Sequence, residues 1–246
     1  MFIPSIIHHK SYLDNCEVFL PDTFSIVSWN VHKNNNKDTF KRYLDAKVKS
    51  YKLDMLIFQE AIFTNINNPV LTNFAFDAAA NLQIKNNFFG VLTASKVRSV
   101  YAKAYLSKDL EAYIGTHKSM LLSTYEFKDR SKILILNVHA INFRENESYS
   151  RELERFFSFI ESYDGAMIIC GDFNSWNRTR LDKLNIEAKK LNLKVVNFKN
   201  SSFVKSFAGN SLDFIFYKGL ELLESSVEVA TKHSDHNPLF AKFKKI

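Results

Sequence analysis

The apolar residues of this chain come in short bursts, and most of the bursts stop at a polar cluster. Residues 25–29, 55–59, 88–93, 120–127, 133–138, 167–170, 213–217, 227–230 and 239–243 are dense in β-branched, aromatic and aliphatic side chains. Each run has the length of a β-strand, and none approaches the ~18 uninterrupted apolar residues of a membrane-spanning helix. Helical spacing of apolar positions predicts helices over residues 39–51, 71–82, 149–163 and 179–191. In the third of these, Leu153, Phe156, Phe157 and Ile160 form one apolar face, which reads as core. Many strands and few helices, in mixed order, predict an α/β fold with two packed sheets rather than a simple βαβ winding. With no repeat, low-complexity tract or linker, one domain is expected over residues 1–246, with 1–23 as an N-terminal extension.

Composition narrows the function classes. With 246 residues and 46% apolar content, the chain has enough material for a sizeable core. Phe, at 23 copies, reads first as core filler, and only 6 glycines argue against glycine-loop architectures. The formal charge of +7 produces a field that favours polyanions such as nucleic acid or anionic headgroups. Short basic clusters, such as Lys41-Arg42, Lys189-Lys190 and residues 242–245, read as solvated faces. Cys16 and Cys170 lie far apart and suggest neither a disulfide framework nor a zinc cluster. Residues 1–10 lack a basic start, a long apolar stretch and a small-residue cleavage site, so a cytoplasmic protein without membrane insertion is expected. No protein partner is readable.

The polar residues at the strand ends carry the chemistry. Asn30 follows the first run, Glu60 ends the second and His139 follows 133–138. Asp172 and Asn174 follow 167–170, Asp213 opens 213–217, and Asp235-His236 precede the last run. Singly, each has an ordinary explanation: Asn30 and Asn174 suit turns, Asp172 suits a cap, and Glu60 suits an exposed strand end. Asp213 is harder to dismiss, because a carboxylate opening an apolar strand needs a partner. Together they supply what phosphate-ester hydrolysis requires. Glu60 and Asp235 offer carboxylates and Asn30 an amide oxygen to a hard cation such as Mg²⁺, with Mn²⁺ as a substitute. Asp172, Asn174, His139 and His236 suit water orientation, charge stabilisation and protonation of a leaving oxygen, and Asp213 suits fixing the tautomer of a histidine.

In this order, Trp29-Asn30, Glu60, Asn137-Val138-His139, Gly171-Asp172-Phe173-Asn174, Leu212-Asp213 and Ser234-Asp235-His236 resemble the endonuclease/exonuclease/phosphatase superfamily, which includes DNase I. The C-terminal half is most similar to its bacterial YafD-type branch, through His139 to Phe143, Gly171 to Asn174, Leu212 to Tyr217 and Ser234 to Leu239. The resemblance implies a four-layer α/β sandwich of two mixed β-sheets packed face to face, with helices outside. It implies Glu60 as the main metal ligand with Asn30 and Asp235 nearby, and Asp172 and Asn174 positioning water and phosphate. His236 paired with Asp213 would act as base or stabilise the transition state, and His139 would contact the phosphate. The sequence offers no carboxylate partner for His139 and no Arg clamp for the phosphate; Lys118 is the candidate. The expected substrate is nucleic acid. The alternatives are a phospholipid headgroup or small phosphorylated metabolite and, in another class, a catalytically silent binding module.

Overall fold

A computed structural model of the protein describes residues 7–11, 17–64, 73–110, 116–142 and 145–246. The elements in chain order are β1 (Ile7–Ser11), β2 (Thr23–Asn30), α1 (Asp38–Tyr51), β3 (Met55–Thr64), β4 (Ala75–Ile84), β5 (Asn87–Ser95), β6 (Tyr101–Leu106), β7 (Ser119–Glu126), β8 (Lys132–His139), α2 (Asn146–Ser158), β9 (Ala166–Asp172), α3 (Arg178–Lys190), β10 (Lys194–Val195), β11 (Ser206–Phe207), β12 (Asn210–Ser211), β13 (Asp213–Lys218), β14 (Leu220–Val227) and β15 (Leu239–Lys245). The first sheet has seven strands in the order β1-β4-β5-β3-β2-β15-β14, and the second has six in the order β10-β13-β9-β8-β7-β6. Each is mixed: β2 runs parallel to β3, and β8 parallel to β9, among antiparallel neighbours.

Alternation along the strands builds four layers, because successive side chains leave opposite faces. Ile26, Met55 and Ile57 of the first sheet meet Ile135, Ile168, Cys170 and Ile215 of the second in the central core. Val27, Trp29, Leu56 and Phe58 point the other way, onto Phe40 and Leu44 of α1. On the far side, Leu134, Leu136 and Ile169 pack against Tyr149, Leu153 and Phe156 of α2 and Leu184 of α3. The helix at 149–163 starts three residues earlier and stops at Ser158, and α3 begins beyond an N-cap at Asn177, whose side chain accepts the Arg180 N–H at 2.9 Å.

Several expectations are corrected. The helix over 71–82 is absent: residues 75–82 lie in β4, which pairs with both β1 and β5. Ala78, Ala79 and Ala80 favour helix locally, but burial between two sheet neighbours overrides that preference. Residues 71–72 lie outside the described residues, as do Cys16 and Phe143. The strand at 227–230 is shifted, because β14 ends at Val227 and the chain turns into the loop carrying Asp235 and His236. Strands β1 and β6 were not expected; the first falls within 1–23 and the second is an edge strand with no buried position.

Glu228, just past β14, ties that loop to α1. It accepts hydrogen bonds from the Tyr51 hydroxyl at 2.6 Å and the Tyr43 hydroxyl at 3.3 Å, and pairs with Lys47. Partial burial pushes its pKa up, but Lys47 and the hydroxyls outweigh this and hold it below the ordinary 4.5. The folded state therefore binds fewer protons than the unfolded chain. The stabilisation is complete above the unfolded pKa and is lost as pH falls through the depressed folded value. Urea unfolding between about pH 6 and pH 3 is expected to show falling stability on the acid side. In Glu228→Gln that part of the slope flattens; an unchanged slope would remove Glu228 as its source.

Candidate active site

The strand register brings the polar ends together along one edge of the sandwich. Asn30, at the end of β2, and Gln59, beside the bulge within β3, are register partners. His139 pairs with Asp172 across β8 and β9, and Asp172 pairs with Asp213 across β9 and β13. The loop between β14 and β15 brings Asp235 and His236 to the same edge. It is pinned by Trp29 Nε1, which donates to the His236 carbonyl at 2.8 Å, and by the Ser234 hydroxyl, which donates to the Asn30 carbonyl at 2.6 Å.

Two backbone distortions aim side chains into the site. The β3–β5 register shifts between Phe58 and Ala61, and within that bulge Glu60 has a φ of 51°. A bulge re-aims its side chains, and a left-handed Glu is uncommon enough to mark a constraint at this position. Asn174 is also left-handed, at φ 49°; its backbone N–H donates to Asp172 Oδ1 at 3.0 Å and its side-chain amide to the Ala140 carbonyl at 2.9 Å. Before them, Gly171 has φ 138°, and a Cβ there would stand 2.0 Å from the Val138 carbonyl oxygen. Gly171→Ala is therefore expected to destabilise the fold by roughly 3 kcal/mol through overpacking and strain. A urea midpoint unchanged from wild type would show that β8 and β9 can separate at no cost.

The centre of the site is Asp172, buried between two histidines. Its Oδ2 lies 3.7 Å from His139 Nε2 and 3.9 Å from His236 Nε2, and accepts from Asn30 Nδ2 at 3.0 Å. His236 Nδ1 is 2.7 Å from Asp213 Oδ2, which fixes the ring with Nε2 facing Asp172. His139 Nε2 is 3.1 Å from Lys118 Nζ and 3.9 Å from Glu60 Oε1, so its nearest carboxylates lie beyond hydrogen-bond range. Lys118, the candidate cation, thus reaches the site beside His139.

The two histidines are driven apart electrically. Burial pulls His236 down, but the Asp213 carboxylate, with help from Asp172, outweighs it and lifts the imidazole to about 9. His139 is pulled down to about 4, by burial first and then by the Lys118 charge, against the opposing carboxylates. Burial and the neighbouring Asp213 raise Asp172. Glu60 goes the other way: burial opposes ionisation, yet His139, Lys118 and Lys33 hold its carboxyl well below the usual range. Such divergence between neighbouring titratable groups is common where acid and base roles are divided.

Glu60 and Asp235 stand at the solvent rim. Glu60 Oε2 accepts from Lys33 Nζ at 2.9 Å, and Asp235 Oδ2 from Lys205 Nζ at 3.1 Å. His32 Nδ1 lies between them, 3.8 Å from Glu60 and 3.4 Å from Asp235. Two carboxylates that converge on Lys33, Lys205 and His32 form a hard-oxygen donor set, which fits a cation such as Mg²⁺. Asn30 presents Nδ2 to Glu60 and Asp172 while its Oδ1 accepts the His32 N–H at 3.1 Å, so its oxygen reaches a cation only after the amide turns. Ligand atoms of Asp172, Asp213 and His236 also lie within 4.8 Å of one another. Asp213 and His236 already hydrogen-bond each other through those atoms, so this trio reads as a proton relay rather than an open cage.

Sequence reasoning quoted Asn137 only as part of a motif and missed the support that it, Gln59 and Arg180 give this edge. Gln59 Nε2 donates to Asn137 Oδ1 at 2.8 Å, and Asn137 Nδ2 reaches the Phe58 and Leu92 carbonyls at 3.1 Å, so the two sheets are joined by buried amides directly beneath the site. Arg180 is fully buried and donates to the Ile141 and Asn174 carbonyls, both at 3.1 Å. Asn137 in its apolar run was the available signal; for Arg180 there was none.

A sequence model described as the endonuclease/exonuclease/phosphatase family matches residues 27–236, spanning every site residue named above. The chain belongs to that family. Its members are hydrolytic phosphoesterases. Solved structures of the same fold include an endonuclease/exonuclease/phosphatase from Bacteroides vulgatus, 14% identical, with a TM-score of 0.68 over 91% of this chain and 99% of the other. The human Nocturnin catalytic domain with bound sulfate is 15% identical, with a TM-score of 0.64 over 97% of each chain. A mannosyl-6-phosphatase from Bacteroides thetaiotaomicron is 15% identical, with a TM-score of 0.62 over 89% of this chain and 99% of the other. Among the described residues of this family member, no helix is long and apolar enough to cross a membrane.

Proposed function

We propose that this family member is a Mg²⁺-dependent phosphodiester hydrolase acting on nucleic acid, and that it works in the cytoplasm. The observation that carries the reading is the buried Asp172 flanked by two histidines of opposite electrical character, beside the rim carboxylates Glu60 and Asp235. A cation held by Glu60 and Asp235 supplies charge neutralisation at the phosphate.

The remaining work falls to the chain's own side chains. Asp172 orients the attacking water and accepts its proton, with Asn30 Nδ2 and the Asn174 backbone N–H fixing the carboxylate. As the water oxygen bonds to phosphorus, the bond to the leaving oxygen breaks and that oxygen takes up a proton from solvent, while Asp172 later releases to solvent the proton it took from the water. His236, held protonated and oriented by Asp213, sets a positive charge against the phosphoryl oxygens. His139, neutral and faced by Lys118, contacts the phosphate on the leaving side, where Lys118 adds the positive charge that an arginine clamp would otherwise give. The +7 charge favours a polyanionic substrate.

A second reading is a phosphatase acting on a small phosphorylated metabolite, supported by the same fold in a mannosyl-6-phosphatase. Hydrolysis of plasmid DNA, abasic-site duplex, bis-p-nitrophenyl phosphate, p-nitrophenyl phosphate and sphingomyelin, each with Mg²⁺ or EDTA, separates these readings. Metal-dependent cleavage of nucleic acid is the expected result. Turnover of the monoester alone would transfer the assignment to the phosphatase reading, and turnover that survives EDTA would overturn the metal requirement.

A further inference from the structure

Beside the relay, the described residues carry an aromatic feature that the hydrolytic reading does not use. Strands β11 and β12 form a small hairpin in which Phe207 pairs with Asn210 across Ala208 and Gly209, whose φ values are 49° and 79°. Two left-handed residues in succession make the tight turn favoured in two-residue hairpins, so this is a compact projection rather than a loose loop. Phe207 stands out from it, 61% exposed. Its ring meets the Trp176 indole edge to face, at a centroid distance of 6.4 Å and an interplanar angle of 86°, so the two rings stand at right angles and make a corner.

The corner is built onto the site. Ser175 Oγ donates to the Ser211 carbonyl at 2.7 Å, Asn210 Nδ2 to the Trp176 carbonyl at 3.2 Å, and the Phe173 N–H to the Leu212 carbonyl at 2.8 Å. These bonds fasten the hairpin to the segment that carries Asp172 and Asn174. Its other root is held by Lys205, whose ammonium donates to the Asp235 carbonyl at 3.0 Å and to Asp235 Oδ2 at 3.1 Å. The Arg180 guanidinium lies 4.7 Å from the Trp176 ring centre and stiffens that wall from behind. Asn210, opposite Phe207, is three residues before Asp213, so the corner begins about 10 Å from the relay at strand spacing.

We propose that Phe207 and Trp176 form a stacking corner for an unpaired nucleobase adjacent to the scissile phosphate, which makes single-stranded nucleic acid the substrate class of this site. The inference rests on the hydrolytic reading above and deepens it. A single exposed ring set perpendicular to a second ring suits a planar group entering edge first. The rest of the hairpin argues against a membrane finger: Ser206, Asn210 and Ser211 flank the ring, and the turn is Ala208-Gly209, so there is no apolar tip to bury in a bilayer. Base–aromatic stacking tolerates any base sequence, because every base offers a π-face.

Two single strands distinguish the outcomes, one carrying 2-aminopurine among normal bases and one in which all bases are replaced by tetrahydrofuran abasic units. Wild type is expected to hydrolyse the base-bearing strand with a KM lower than for the abasic strand by roughly five- to a hundredfold, the range for one aromatic–base stack. In Phe207→Ala that preference collapses towards one, and Phe207→Trp restores it. Binding is read separately in EDTA, where 2-aminopurine fluorescence is quenched by wild type and by Phe207→Trp but not by Phe207→Ala. Quenching that depends on Phe207 without hydrolysis of either strand keeps the stacking corner and overturns the hydrolytic reading. Hydrolysis of both strands with equal KM overturns the corner and keeps the reaction. Loss of co-sedimentation with phosphatidylserine vesicles in Phe207→Ala, with the base preference intact, would make the hairpin a lipid contact and also overturn the proposal.

Discussion

His236→Ala is expected to lower kcat for the proposed Mg²⁺-dependent phosphodiester hydrolysis by about a thousandfold, the scale of one acid–base or charge-stabilising group. The expected loss is large because the ring has two duties. It carries the positive charge beside Asp172, and it satisfies Asp213 across a 2.7 Å contact in a buried setting. Asp213 Oδ1 already has no hydrogen-bond partner, so removing the imidazole also leaves Oδ2 unpaired. A modest drop in melting temperature should therefore accompany the loss of turnover, with folding retained. Asp172→Asn should match the kinetic loss, because the amide cannot take a proton from water. If the two losses fail to add in the double variant, the residues act as a unit. Full turnover in either purified variant would remove that residue from the mechanism.

Arg180→Met is expected to cost roughly 3–5 kcal/mol of folding stability, the range for breaking a buried charged network. The methionine fills part of the space but leaves the Ile141 and Asn174 carbonyls without their donor. It also forfeits the guanidinium contacts with Tyr149 at 4.5 Å and Trp176 at 4.7 Å. Denaturant unfolding measures the cost directly. Because Asn174 is left-handed and held through its own carbonyl, kcat should fall as well, even at temperatures where the variant is fully folded. A variant that unfolds at the wild-type midpoint would show that water replaces Arg180 without penalty.

The two-sheet α/β class and the strand ends were legible in the sequence for one physical reason, whereas the four-layer order came with the family resemblance. Buried strands must be apolar along their length, so a polar residue such as His139 or Asp172 at the end of such a run marks where the chain leaves the core. The same logic singled out Asp213, and the structure gives it His236 as its partner. What failed depends on partners remote in sequence. Residues 75–84 are alanine-rich because Ala79 lies against Val91 and Leu121 where the two sheets approach, and only that contact shows why a helix-favouring composition ends up as strand. Neither the left-handed turn at Glu60 nor the burial of Arg180 leaves a local signature, since each is imposed by neighbours that the chain meets only after folding.

The second sheet is built from β6 to β10 and β13, with the β11–β12 hairpin set apart from it, whereas the first is assembled from β1 to β5 and from the much later β14 and β15. Strand β15 slots between β14 and β2, and the loop delivering Asp235 and His236 stands immediately before it. During synthesis the ribosome must therefore release β15 before the relay can exist. Until that strand inserts, a growing chain holds Glu60, His139 and Asp172 without the histidine that charges the site. Under the proposed hydrolysis, the complete site therefore exists only once β15 has inserted.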